Sequence, residues 1–194
     1  MNTTIDFYNK KAKSYSDNTL GVNFRNIQEQ FCGLLPGQKY ILDFGCGSGR
    51  DSKYFLSQGY VVDAIDGSVE LCKIASANTG IEVRQMMFQE LDEADKYDGI
   101  WACASILHLP KGTLVDVLKR MLRALKSDGI IYTSFKYGEF EGERDGRYFT
   151  CFTEDSFAEF LKRFPELRVK EQWLSGDVRE NRGGEQWLNL ILGK

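Results

Sequence analysis

No stretch of the 194-residue chain approaches the roughly 18 consecutive apolar residues of a membrane span. Its first residues, Met1-Asn2-Thr3-Thr4-Ile5-Asp6, have neither the basic nor the apolar character of a signal peptide, so a cytosolic location is expected. Long basic runs are missing too, and the net charge is −3. That argues against a broad electrostatic grip on nucleic acid. There is one histidine, His108, and no C-x-x-C among Cys32, Cys46, Cys72, Cys103 and Cys151. An odd number of widely spaced cysteines reads as reduced thiols. One histidine with scattered cysteines argues against a protein-ligated metal centre. Repeats and low-complexity segments are absent.

What remains is an ordinary globular composition, 42% hydrophobic and 27% charged. The length fits one domain over residues 1–194 with a sizeable core. Short apolar runs alternate with helical spacing, which predicts an α/β sheet with helices on both faces. Helices are expected over Phe24–Leu35, Arg50–Gln58, Ser68–Asn78, Leu114–Leu125 and Thr153–Phe164. Strands are expected over Tyr40–Phe44, Val61–Ile65, Glu82–Met86, Asp98–Ala104 and Ile130–Phe135. Arg168–Leu174 and Gln186–Leu192 read as a terminal hairpin. Residues 1–22 carry tyrosines but little core. Residues 136–152 are rich in charge and glycine, with aromatics between the charges. A long polar connection of this kind reads as an active-site loop.

The most informative stretch is Ile41-Leu42-Asp43-Phe44-Gly45-Cys46-Gly47-Ser48-Gly49-Arg50. An apolar strand runs into three alternating glycines and then a helix. Alternating glycines let the backbone turn tightly and approach a ligand, and the helix start offers unpaired N–H groups. Asp66 ends the next strand, 21 residues after Gly45. An acid there is placed to hold a ribose diol. Together these features predict a nucleoside-containing cofactor. The dinucleotide pattern G-x-G-x-x-G/A would need a small residue where Arg50 stands. The glycines instead read G-x-G-x-G, with Asp43 two residues ahead of the first.

That pattern resembles motif I of the class I S-adenosylmethionine-dependent methyltransferases. The ordered set continues with Asp66, the turn Met86-Met87-Phe88, the fourth strand and leucine-histidine stretch Ile100–His108, and Leu125–Gly129. Within the class the chain is similar to the small tellurite-resistance-like methyltransferase-domain proteins. Phe7-Tyr8 with Ala12 and Tyr15 resembles their N-terminal lid. The resemblance implies a Rossmann-like, doubly wound, mostly parallel seven-stranded sheet. Its last strand should run antiparallel beside the fifth. The cofactor is expected to be S-adenosylmethionine, with S-adenosylhomocysteine as product.

The expected cofactor contacts are Tyr8, Tyr15, Asp43, Gly45, Cys46, Gly47, Gly49, Arg50, Asp66, Gly67, Ser68, Met87, Phe88 and Ala104. In the family the acid before the glycines helps hold the methionine amino group. Arg50 could bind its carboxylate, and Tyr8 and Tyr15 could cap that end. Many members carry an acid after the third strand for the adenine amino group. Met87 stands there, so adenine recognition would rest on the Phe88 backbone and apolar packing. His108, after the fourth strand, is the candidate general base. Lys136, Tyr137, Arg144, Arg147, Tyr148, Asp177 and Arg179 are expected around the entrance, suggesting a polar or anionic acceptor. The expected partner is a small-molecule methyl acceptor. Methylation of tRNA or a protein side chain, and a non-catalytic S-adenosylmethionine-binding module, are the alternatives.

Overall fold

In a computed structural model describing residues 3–37, 39–178 and 184–194, the order is helices α1 (Thr3–Thr19) and α2 (Arg25–Leu34), then β1 (Tyr40–Phe44), α3 (Arg50–Ser57), β2 (Val61–Asp66), α4 (Val69–Thr79) and β3 (Val83–Gln85). There follow β4 (Tyr97–Ala102), α5 (Lys111–Ala124), β5 (Leu125–Lys136), β6 (Glu141–Arg144), β7 (Arg147–Thr150), α6 (Glu154–Leu161), β8 (Arg168–Gly176) and β9 (Gln186–Gly193). Seven strands form one sheet in the order β3-β2-β1-β4-β5-β9-β8. The first five are parallel, and β9 is antiparallel to both β5 and β8. This is the Rossmann-like sheet the sequence predicts. Among the described residues no helix is long and apolar enough to cross a membrane.

The central strands are mostly apolar because both faces of the sheet are covered there, and side chains alternate between the faces. Leu42 and Phe44 of β1, Ile100 and Ala102 of β4, and Ile131 and Phe135 of β5 join the core under α5 and α6. Ile41, Trp101, Ile130 and Tyr132 face the other way, against Phe31 of α2 and Phe55 of α3. Trp101 stacks on Tyr132 at 4.1 Å and meets Phe31 and Phe55 edge-on. Truncating a fully buried aromatic of this kind costs about 3–5 kcal/mol. The parallel order puts the ends of β1 to β5 at one edge of the sheet. The start of β9 and the end of β8 lie at that edge too.

Three segments depart from the sequence reading. Residues 3–19 form a full helix that packs on α4. Its inward stripe is Thr4, Ala12, Ser16 and Thr19, small or polar side chains that leave no apolar periodicity to read. Residues 136–152 contain a hairpin instead of an irregular loop. Arg144 pairs with Arg147 across Asp145-Gly146, both at positive φ (52° and 74°). Asp-Gly at a two-residue turn is a strong hairpin signal. Finally, β5 starts at Leu125, and the Asp128-Gly129 turn lies inside it as an irregularity. Leu125 pairs with Tyr97, and pairing resumes at Gly99 with Ile130. Lys126 ties this bulge to Asp98 at 2.9 Å.

Candidate active site

The glycine loop leaves β1 with Gly45 and Cys46 donating their N–H groups to the Ile65 carbonyl of β2. Gly45 has φ +89°, and a Cβ there would lie 2.5 Å from Cβ of Ser105. Gly47 has φ +57°, and a Cβ there would meet the Tyr15 ring at 3.1 Å. Conformation thus requires glycine at both positions, and space requires it at Gly45 as well. The Asp66 carboxylate ties the turn together. Its Oδ2 accepts from Gly47 N–H (2.9 Å) and its Oδ1 from Ser68 N–H (2.8 Å). Burial raises the pKa of Asp66, and the two N–H donors oppose that shift. Each oxygen keeps a lone pair for a further donor.

Above this turn lies a cavity with about 600 Å³ of empty space. Gly45, Gly47, Asp66 and Gly67 form its floor, Met86, Met87 and Phe88 one wall, and Ile5, Tyr8 and Tyr15 of α1 its roof. It is mostly apolar, with one acid beside a glycine turn. A second cavity, of about 810 Å³, adjoins it and shares Tyr8, Tyr15, Ala104 and His108. Arg50, Lys136, Arg147, Asp177 and Trp187 also line this second cavity. At the junction Ala104 is held at φ +48° with its N–H on Ser134 Oγ (2.9 Å). Left-handed backbone on a non-glycine residue is strained, and such residues cluster at functional sites.

Arg50 is already engaged. Its Nε and Nη2 each donate to a carboxylate oxygen of Asp51 at 2.8 Å, and its guanidinium lies over Phe24. Asp51 also accepts from Gln28 (2.6 Å) and from the Trp101 indole (2.9 Å). Burial pushes the Asp51 pKa up, but the Arg50 fork and the two N–H donors outweigh it and hold the carboxyl down. A methionine carboxylate would therefore have to use Nη1, or the second N–H of Nη2, which now faces Cys103 Sγ at 3.8 Å. Asp43 lies behind the loop, where its Oδ2 accepts from Ser52 Oγ at 2.6 Å. Burial, then the neighbouring Asp51, raises its pKa.

His108 is partly buried, with both ring nitrogens occupied. Nδ1 lies 2.6 Å from the Tyr148 carbonyl, so it carries the proton. Nε2 then accepts from the Tyr8 hydroxyl at 2.8 Å. Burial lowers the His108 pKa to about 4; Arg147 and Lys136 push the same way, against the Tyr148 carbonyl. The ordinary value near 6.5 expected of an exposed imidazole does not apply here. His108 is a neutral side chain joining α1 to the β6–β7 hairpin.

Of the expected cofactor contacts, Tyr8, Tyr15, Gly45, Gly47, Asp66, Gly67, Met87, Phe88 and Ala104 line the first cavity, with Arg50 on the second. Asp43, Cys46, Gly49 and Ser68 line neither. Cys46 turns its side chain into a core cluster with Ala64 and Cys72, Gly49 caps α3, and Ser68 caps α4. Of the entrance residues, Lys136, Arg147 and Asp177 reach the second cavity, whereas Tyr137, Arg144 and Tyr148 line neither. Arg144 stacks on Phe140, and the Tyr148 hydroxyl bonds Glu141. Arg179 lies outside the described residues. The sequence reading missed Ile5, Ser105, Phe24, Phe149, Trp187 and Asn189 as lining residues. Most are apolar or sit in segments read as core, so only tertiary placement reveals them.

The family model of a methyltransferase domain matches residues 41–129, from β1 into β5. An uncharacterized methyltransferase of Staphylococcus carnosus is 24% identical over 94% of this chain and 90% of its own length. An N-terminal Xaa-Pro-Lys N-methyltransferase 1 of Xenopus tropicalis is 36% identical, over 49% of this chain and 46% of that protein. The chain thus spans nearly all of the first relative and about half of the second. The fold is shared with a Burkholderia thailandensis 1,6-didemethyltoxoflavin-N1-methyltransferase, solved with 1,6-didemethyltoxoflavin and S-adenosylhomocysteine. The TM-score is 0.74 at 24% identity, over 98% of this chain and 84% of that one. Residues 41–129 thus match a methyltransferase domain, and the chain as a whole is similar to methyltransferases in sequence and in fold.

Proposed function

We propose that the chain transfers a methyl group from S-adenosylmethionine to a small-molecule acceptor, chiefly by positioning. The observation that carries this reading is the pair of cavities meeting at Tyr8, Tyr15, Ala104 and His108. The first fits an adenosine. A Cβ on Gly45 or Gly47 would intrude on the wall that encloses it, Asp66 offers carboxylate lone pairs, and Met87 and Phe88 offer apolar surface to a flat ring. Tyr15 closes the glycine turn, and Arg50 and Cys103 line the path into the second cavity. When bound, S-adenosylmethionine supplies an electrophilic methyl on a positive sulfonium. The chain need only align the acceptor and exclude water. The Tyr8–His108 bond holds α1 over the junction. Because the Tyr8 hydroxyl occupies Nε2, and the imidazole is a weak base near pKa 4, we assign His108 a positioning role.

Whole-chain similarity to a fold solved with bound 1,6-didemethyltoxoflavin supports the small-molecule acceptor. The resemblance to tellurite-resistance-like proteins belongs to the same reading, and the N-terminal Phe7-Tyr8, Ala12 and Tyr15 resemble the lid of such enzymes. The Xenopus relative favours a protein acceptor instead, over about half the chain.

Incubation with methyl-labelled S-adenosylmethionine and a cell extract, read by mass spectrometry, separates these readings. Label in a low-mass product is the expected result. Label only in protein or RNA would overturn the acceptor class. Tight cofactor binding with no transfer to any fraction would leave a binding module.

A further inference from the structure

Among the described residues three cations line the second cavity, and two of them are neutralised in place. Arg50 forks onto Asp51, and Lys136 pairs with Glu185 at 2.6 Å. The third, Arg147, has no carboxylate within 4.0 Å and no side-chain hydrogen bond among the described residues. Its guanidinium lies between Phe7 of α1 (4.4 Å) and Phe149 (5.0 Å). Its Nε is sealed from solvent with no acceptor. An anion in the cavity would therefore be met by the terminal nitrogens Nη1 and Nη2, which carry four N–H donors and are not sealed in this way. Arg144, on the same hairpin, gives the contrast. It is exposed and stacks on Phe140, as a solvated surface arginine does.

We propose that Arg147 is the anion-binding residue of the acceptor site, and that the acceptor carries a carboxylate. This rests on the methyl-transfer reading above and narrows its substrate class. A planar guanidinium matches a carboxylate through two parallel N–H bonds. The chain already builds that pair once, between Arg50 and Asp51. The charge of the lining selects a monoanion. Among the described cations of the lining only Arg147 lacks a carboxylate partner, while Asp177, which accepts from the Trp187 indole at 3.3 Å, has partners of its own, so one positive charge is left for the ligand. A dianionic phosphate ester would leave a net negative charge buried. Phe7, on the roof helix, covers the guanidinium, so a bound carboxylate also rests against the element that closes the cofactor cavity.

The test is calorimetry on the protein saturated with S-adenosylhomocysteine. The probes are benzoate, 1-naphthoate and hexanoate, each paired with its neutral carboxamide, and phenyl phosphate. At least one carboxylate should bind about 10- to 100-fold more tightly than its amide, the worth of a charged hydrogen bond. Arg147→Gln should remove that preference while S-adenosylhomocysteine still binds. Arg147→Lys, which keeps the charge but not the fork, should keep part of it. Equal binding of acid and amide, no carboxylate binding at all, or an undiminished preference in Arg147→Gln would overturn the proposal. Phenyl phosphate binding more tightly than benzoate would overturn the carboxylate assignment. The wild-type comparison of acid with amide decides the matter even if a variant misfolds. Failure of S-adenosylhomocysteine to bind would instead count against the cofactor reading.

Discussion

Asp66→Ala is expected to weaken S-adenosylhomocysteine binding by about 10²–10⁴-fold, the loss of two charged hydrogen bonds to ribose hydroxyls at roughly 1.5–3 kcal/mol each. The carboxylate lies at the floor of the first cavity, already holding Gly47 and Ser68 through their N–H groups. Alanine removes the ribose acceptor and also leaves those two buried donors without their partner. The glycine turn should therefore loosen, and the variant should melt below wild type. Asp66→Asn is the finer probe. It keeps the shape, but its amide nitrogen has to face a backbone N–H, so it should lose affinity too. Calorimetry and thermal unfolding check both. Unchanged affinity with an intact fold would remove Asp66 from the ribose role.

Acid should destabilise the protein through His108. Its pKa is about 4 in the folded chain against 6.5 for the free side chain. Between those values the unfolded chain binds the extra proton, so stability rises with pH across that window. The gap between 6.5 and about 4, at 1.36 kcal/mol per pH unit, corresponds to roughly 3 kcal/mol lost as pH falls from 7 to 4. His108→Gln should lack this contribution. Carboxylates such as Asp51 and Asp63 titrate in both proteins and largely cancel in the difference. Denaturant unfolding at a series of pH values measures it. Equal pH dependence in the two proteins would mean that His108 is not held neutral by burial. The same pKa predicts a turnover rate flat from about pH 5.5 to 8 even if His108 handles a proton, so a flat profile alone does not exclude a proton role. The fall below about 6.5 expected of an unperturbed histidine should not be seen.

The sheet was legible because burial on both faces leaves short, mostly apolar runs such as Tyr40–Phe44 and Val61–Ile65, each broken only by one aspartate, and because glycines and prolines punctuate them. The floor of the first cavity was legible for a related reason. Gly45 and Gly47 are fixed by backbone geometry, and Asp66 by its place at a strand end. Helix α1 was not, because its buried stripe is Thr4, Ala12, Ser16 and Thr19. The hairpin at Asp145-Gly146 carried its signal in the sequence, but charges on both sides masked the alternation. Arg50 and His108 show the other limit. Whether a charged or titratable group is free depends on partners far away in the chain, here Gln28 and Trp101 through Asp51, and Tyr8 and Tyr148 around the imidazole.

The glycine turn, Asp66 and the α1 roof are expected to enclose an S-adenosyl nucleoside and not a dinucleotide. Calorimetric titration of the wild-type protein with S-adenosylhomocysteine and, separately, with NAD tests it most directly. One equivalent of S-adenosylhomocysteine should bind and raise the melting temperature, since a ligand selective for the native state stabilises it, while NAD should give no saturable heat. Saturable binding of NAD with no response to S-adenosylhomocysteine would contradict the account.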